Sequence, residues 1–363
     1  MDYRSRWQQR RRERATRQRL VLIAAVVVIA VGVGVALRGV SSSGPASDFR
    51  LDGPDVSWLS ASDDGVLITT RRGELIKLTP ELEAVEEGWV RPFTHPAGFW
   101  GRAAVVGRNA VIGSEDVRAR AIDLASGVQS WELAVGGAVP GVTAEGEYVY
   151  FTSAEPALYR ATAGGSVLWR AALDARVSSP PLVTGETVVV GTLRGRICGY
   201  ERASGARLWC VEGEPAAAVH ARPSMGPSSI LVGDDRGRLH SISRGGEMLT
   251  FMEFEGLIRQ PVAVREAVVV AGDSSGLLMR INPADMTEIW RARLPGPLAA
   301  EPVITGGVVW CGAGRSLVAL DAEDGRVITR RKADAQTSDV LAAHGRIYWA
   351  TTDGRIGYVE SEG

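Results

Sequence analysis

The sequence predicts an all-β fold, an eight-bladed β-propeller of four-stranded blades preceded by one N-terminal transmembrane helix. Three observations predict it. Landmark residues recur at roughly equal spacing in three separate registers. Short β-branched runs alternate with turns rich in glycine, asparagine, aspartate and serine. An arginine-rich start leads into an uncharged apolar run. Composition agrees: of 363 residues, 43 are glycine, 45 % are hydrophobic and 6 % aromatic. That much apolar material excludes a disordered chain, and three cysteines are too few for a disulfide scaffold. Length alone suggests two domains, but all-β rings above about 200 residues commonly form one.

Residues 1–19 form an arginine-rich tail, with eight arginines against Asp2 and Glu13, a net of +6. Leu20 to Leu37 then gives 18 residues without a charge, and 20–38 is assigned as a transmembrane signal anchor. About 18–20 apolar residues suffice to cross the hydrocarbon core. Basic residues on one flank place that flank in the cytoplasm. The run exceeds the ~7–15 residues of a cleaved signal, and no clean Ala-x-Ala site follows, which favours an uncleaved anchor. The expected topology is single-pass, N-terminus inside, with the remainder periplasmic or at the cell surface. Residues 39–47 read as a short polar linker. From residue 41 onward there are 32 basic and 40 acidic residues, a net of −8, so the total of −1 conceals a split. An acidic outer part speaks against a nucleic-acid partner.

Residues 48–363 are assigned to the propeller. Tryptophan gives the first register: Trp89, Trp131, Trp169, Trp209 and Trp290, at steps of 42, 38, 40 and then 81, two units with the middle tryptophan replaced near Leu249. Prolines give the second: Pro140, Pro181, Pro223, Pro261 and Pro302, at steps of 41, 42, 38 and 41. The third is a glycine four residues before the tryptophan, at Gly127, Gly165 and Gly205, with Gly325 in the equivalent place. Units of about 40 residues with four short strands are the blades of a propeller. Unit starts fall at Asp55, Arg102, Val139, Pro180, Arg222, Gln260, Glu301 and Asp339. The last unit holds only three strands before the chain stops. Residues 48–52 precede the first unit and are expected to supply the missing outer strand.

The run Ser179-Pro-Pro-Leu-Val, followed by Val189-Val-Gly-Thr and by Ala203-Ser-Gly ahead of Trp209, resembles the tryptophan-docking repeat of PQQ-type β-propellers. The segments ending at Trp131 and Gly325 carry the same signature. The resemblance covers about 48–363 and implies the propeller fold. The family includes quinoprotein dehydrogenases, which hold PQQ and calcium on the axis beside an adjacent cysteine pair, and a BamB-like non-enzymatic branch. This chain has no adjacent cysteines, and its compact units leave little material for an active-site cap. Its four histidines fall in different units without metal-ligand spacing, and no Gly-x-Ser-x-Gly motif appears. No catalytic residue, PQQ, calcium or other metal site is therefore expected. Asp63-Asp64, Asp234-Asp235, Asp273 and Asp353 read as turn residues.

Trp89, Trp131, Trp169, Trp209 and Trp290 are expected to pack between blades. Cys198 and Cys210 lie symmetrically about the turn at Ser204, hence close to direct cross-strand partners, within reach of a disulfide or packed as two thiols. Cys311 is left over. Two regions are candidates for an interface. The segment 90–102 carries Phe93, His95, Phe99 and Trp100, read either as a hot-spot patch or as a loop folded on a blade edge. The residues ahead of each first strand, including Arg102, Arg222, Gln260, Glu301 and Asp339, are expected to cluster at one mouth of the channel as a mixed-charge funnel. The expected function is a membrane-anchored scaffold binding a protein partner in envelope assembly or a membrane complex. A PQQ-dependent oxidoreductase and a ligand-sensing ectodomain are the alternatives.

Overall fold

The computed structural model describes residues 48–361 apart from Glu86, Val90 and Glu214. The tail, anchor and linker expected over residues 1–47 lie outside the described residues. Among the described residues no helix is long and apolar enough to cross a membrane.

Thirty-two strands, numbered β1–β32 in chain order, form eight four-stranded antiparallel sheets. Seven sheets take four consecutive strands each, so the chain walks outward from the axis within a blade and then starts the next. The eighth has the order β1-β32-β31-β30. Its outer strand is β1 (Phe49–Arg50), pairing Phe49 with Ile356 and Arg50 with Arg355 of β32 (Arg355–Glu360). The N-terminal segment thus closes the ring, as its position ahead of the first unit predicts.

The strands form because the apolar runs are short and turn residues punctuate them. In blade 4, Thr187–Gly191 and Arg196–Glu201 are almost wholly buried and meet at a turn through Gly195. Gly195 has φ +88°, and a Cβ there would sit 2.8 Å from the Ala217 backbone, so only glycine fits. The second and third strands bury both faces because a blade lies on either side. In one such seam Val106, Val111 and Ala119 of blade 2 pack on Val149, Phe151 and Ala157 of blade 3.

Two expectations about the units are corrected. Arg102 and Asp339 do not precede their first strands but lie within them, in β6 (Phe99–Val106) and β30 (Thr337–Ala343). The pairing shifts beside both, between Trp100 and Ala104 and between Thr337 and Asp339. An irregularity frees a side chain from the pleat, which is how both turn toward the channel. Segment 90–102 is not a plain inter-blade loop. Phe93–Thr94 is the outer strand of blade 1, and blade 2 begins at Phe99. Trp89 accordingly precedes its outer strand instead of lying in it.

Candidate functional site

The mouth of the channel brings together four of the predicted residues. Arg102 donates from Nη2 to Asp339 Oδ1 (2.6 Å) and from Nε to Oδ2 (3.0 Å), and Nη2 also reaches Val340 O (2.9 Å). The same carboxylate accepts Leu59 N (2.8 Å) and Val340 N (2.9 Å), so it is fully engaged and 3 % exposed. Arg222 Nη2 lies 3.1 and 3.3 Å from the Glu301 carboxylate oxygens, and Arg102 Nη1 lies 3.8 Å from Glu301. These residues belong to blades 2, 5, 7 and 8. Arg102 and Asp339 lie in first strands, and Arg222 and Glu301 just ahead of theirs, and at these places contacts between non-adjacent blades form across the axis. Desolvation opposes the Arg102 charge, but Asp339 and Glu301 outweigh it and push its pKa above the ordinary arginine value. The funnel is a closed network of ion pairs. Gln260 instead donates to Ala299 O (3.1 Å), and Asp55 accepts Arg72 N (3.1 Å); neither joins it.

The aromatic segment splits. Phe99 does not belong to a hot-spot patch, one of the two readings of this segment: it is fully buried and stacks on Phe93 with centroids 6.1 Å apart, because it opens the inner strand of blade 2. Trp100 remains half-exposed. Its Nε1 donates to Glu115 (2.7 Å), and the Arg71 guanidinium sits 4.0 Å above its ring. His95 turns inward, 3.2 Å from Arg120 Nη2. Arg120 is paired with Asp116, and that hydrogen bond holds the Asp116 carboxyl well below the usual carboxylate range.

The five repeat tryptophans each lie on a glycine of the following blade. A Cβ on Gly127 would meet Trp89, one on Gly165 would meet Trp131, and Gly205, Gly246 and Gly325 relate likewise to Trp169, Trp209 and Trp290. The indole N–H of Trp131, Trp169 and Trp290 donates to Ala163 O, Arg202 O and Ala322 O of that neighbour, at 2.8–3.0 Å. Cys198 and Cys210 are direct cross-strand partners joined by a disulfide, while Cys311 is free and buried.

Sequence reasoning missed two polar clusters. Asp234 and His240, both buried, share a 2.9 Å hydrogen bond, and Arg238 Nε reaches the same carboxylate at 3.1 Å. His220 lies between Ser178 Oγ (3.1 Å) and Asp235 (3.3 Å), with Arg259 on the far side of Asp235. The only signal was the Asp234-Asp235 pair, which reads equally as a turn. Among the described residues no group of three or more histidines, cysteines and carboxylates could hold a metal ion.

These features define an eight-bladed propeller of tryptophan-docking, PQQ-type repeats whose axis is bridged by its own ion pairs. The chain belongs to the family described as outer membrane protein assembly factor BamB, which matches residues 114–250 and 235–360. It is similar to the BamB of Moranella endobia, 25 % identical over 229 residues, covering 61 % of this chain and 51 % of that protein. The chain therefore spans about half the length of that relative. It is also similar to the BamB of Burkholderia pseudomallei, 21 % identical over 345 residues, covering 78 % of this chain and 90 % of that protein. The crystal structure of BamB from Moraxella catarrhalis superposes with a TM-score of 0.74 at 18 % identity, covering 86 % of this chain and 98 % of that one. At that identity the structural match speaks to the fold alone.

Proposed function

We propose that this chain is a non-catalytic, protein-binding propeller scaffold that takes part in outer membrane protein assembly. Residues 20–38 tether it, and the ring lies outside the cytoplasm. The observation that carries the reading is the axial network. Arg102, Asp339, Arg222 and Glu301 spend their charges on one another at the mouth where this fold would take a small ligand. Recognition then falls to side chains outside that network, and the half-exposed Trp100, at the start of the inner strand of blade 2, stacks under the exposed Arg71.

The same network does not fit PQQ with calcium. Calcium asks for six to eight converging oxygens. Here both Asp339 oxygens are engaged by Arg102 and two backbone N–H groups, and both Glu301 oxygens face Arg222. A photo-crosslinker placed at Trp100 in the native membrane, followed by mass spectrometry, tests the scaffold reading. The expected captures are components of the outer membrane assembly apparatus. Turnover of an alcohol or sugar by the protein reconstituted with PQQ and calcium would overturn it.

A further inference from the structure

The outer strand of blade 7, β29 (Val327–Lys332), departs from its counterparts. All six of its residues are exposed, whereas the outer strands of blades 2 to 6 each keep at least two partly or fully buried. In the outer strands of blades 2, 3, 4 and 6 the third residue is a tryptophan leaning on the next blade, and the fifth is apolar and at least half-buried. In β29 these places hold Thr329 and Arg331. Its neighbour in blade 8, the outer strand β1, has two residues, Phe49 and Arg50.

Charge sets the strand apart as well. Arg330, Arg331 and Lys332 are consecutive, and among the described residues none has a carboxylate partner. Arg330 donates only to Ser316 Oγ (3.1 Å). On blade 6, by contrast, Arg291 pairs with Glu288 and Arg293 with Glu255. The chain from residue 41 onward carries a net of −8, so three uncompensated cations form a local exception. Among the described residues β29, like the other outer strands, is hydrogen-bonded on one edge only, to β28 (Ser316–Asp321), which leaves its other backbone edge for a further strand.

We propose that β29 is a docking edge for an extended acidic segment of a protein partner, which adds to blade 7 as a fifth strand. This rests on the scaffold reading and gives it a place and a partner chemistry. An open strand edge presents alternating N–H and C=O groups, which another strand satisfies. The pairing shift at Ile328 breaks the alternation there, and beyond it side chains alternate, so Thr329 and Arg331 line one side and Arg330 and Lys332 the other. Cations on both faces suit a strand with acidic residues opposite them. They suit a flat anionic membrane poorly, because it would meet one face only.

The test uses the full-length protein in nanodiscs of neutral lipid and three fluorescent heptapeptides: alternating glutamate and valine, alternating lysine and valine, and the acidic peptide broken by a central proline. The acidic strand is expected to bind, to slow amide hydrogen exchange over 327–332, and to weaken as salt is raised. The triple substitution Arg330→Glu, Arg331→Glu and Lys332→Glu should weaken it by about tenfold or more with the melting temperature unchanged, since exposed charges contribute little to the fold. Equal binding of the proline-broken peptide, or of phosphatidylglycerol vesicles without exchange protection, would overturn strand addition. So would absence of peptide binding together with dimerisation of an Arg330→Ser, Arg331→Ser, Lys332→Ser variant, which would show the charges to be guards against edge pairing. Loss of peptide binding with the crosslinks at Trp100 intact sinks this inference alone; loss of those crosslinks sinks the scaffold.

Discussion

At the scale of single residues, the seams between blades are written as pairs. Each repeat tryptophan requires a glycine across the seam. Gly325, for instance, has φ +74°, and a Cβ there would lie 2.6 Å from the Trp290 ring. Where the tryptophan is missing, so is the glycine. Blade 5 carries Thr250 in that place, and blade 6 answers with Met286, also left-handed (φ +58°), buried and packed with Met252. Met286 N bonds Asn282 O as Gly325 N bonds Asp321 O, which fixes the equivalence. Gly325→Ala should therefore cost about 2 kcal/mol or more, by strain plus clash, read from urea unfolding. Thr250→Trp alone should destabilise, and Met286→Gly beside it should recover most of the loss; additive effects in the double-mutant cycle would refute the pairing. A second residue-scale prediction concerns acid. Burial would raise the Asp234 carboxyl, but His240 and the backbone N–H groups of Arg238 and Arg236 outweigh it and hold its pKa below the ordinary value. A depressed carboxylate contributes stability that is complete above its unfolded pKa of about 4 and is lost as pH falls through the folded value. Asp234→Asn should thus lower stability at neutral pH by about 1–3 kcal/mol and flatten the acid limb below about pH 4.

At the scale of elements, one irregularity recurs in six blades. The pairing of third and fourth strands shifts by a residue in each of blades 2 to 7. The extra residue is the one just before the tryptophan place, and in blades 3 to 7 it is Leu168, Leu208, Leu249, Ile289 or Ile328, all exposed. The bulge aims the next residue across the seam and leaves this one in water. The tryptophan spacing was legible in the sequence, but the bulge was not, since an exposed leucine beside a tryptophan looks like core in any alternating reading. The closing strand was legible, because three strands at the end and a spare strand at the start can complete each other only in a ring. Deleting 46–53 should lower the melting temperature by several degrees, about what the loss of a few kcal/mol implies. An unchanged melting curve would show that β1 is not a seal. The disulfide is the other element-scale staple: Cys198→Ser with Cys210→Ser should cost about 2–3 kcal/mol. Peptide mapping without reductant should find the two linked and Cys311 free.

For the whole molecule, the axial network ties neighbouring blades and also blades that share no seam, 2 to 8 and 5 to 7. Asp339 accepts Leu59 N of blade 1, its own neighbour Val340 N, and Arg102 of blade 2. Asp339→Asn should destabilise the ring by about 1–3 kcal/mol, since it leaves a half-buried guanidinium with only Glu301, 3.8 Å away, as its counter-ion. Exchanging the charges, Arg102→Asp with Asp339→Arg, should not restore it, because two backbone donors at residue 339 need an acceptor. Full recovery in thermal melts would reduce the network to a simple charge pair.

The sequence by itself determined the number of blades, their order, the closing strand and the partnership of the two cysteines. These follow from repeats and short-range turn chemistry, which act within about forty residues and leave a periodic trace. Only the tertiary structure decided that Arg102, Arg222, Glu301 and Asp339 meet one another and not a ligand, that Phe99 is buried, and that β29 stands open. Each of those depends on which blades face across the axis or how far a neighbouring strand extends. Arg102 and Asp339, 237 apart in the chain, then share a hydrogen bond, and no local pattern records it. The composition announced a ring with an acidic outside. The geometry placed its cations, Arg102 and Arg222 among carboxylates at the centre and Arg330, Arg331 and Lys332 together on an outer strand.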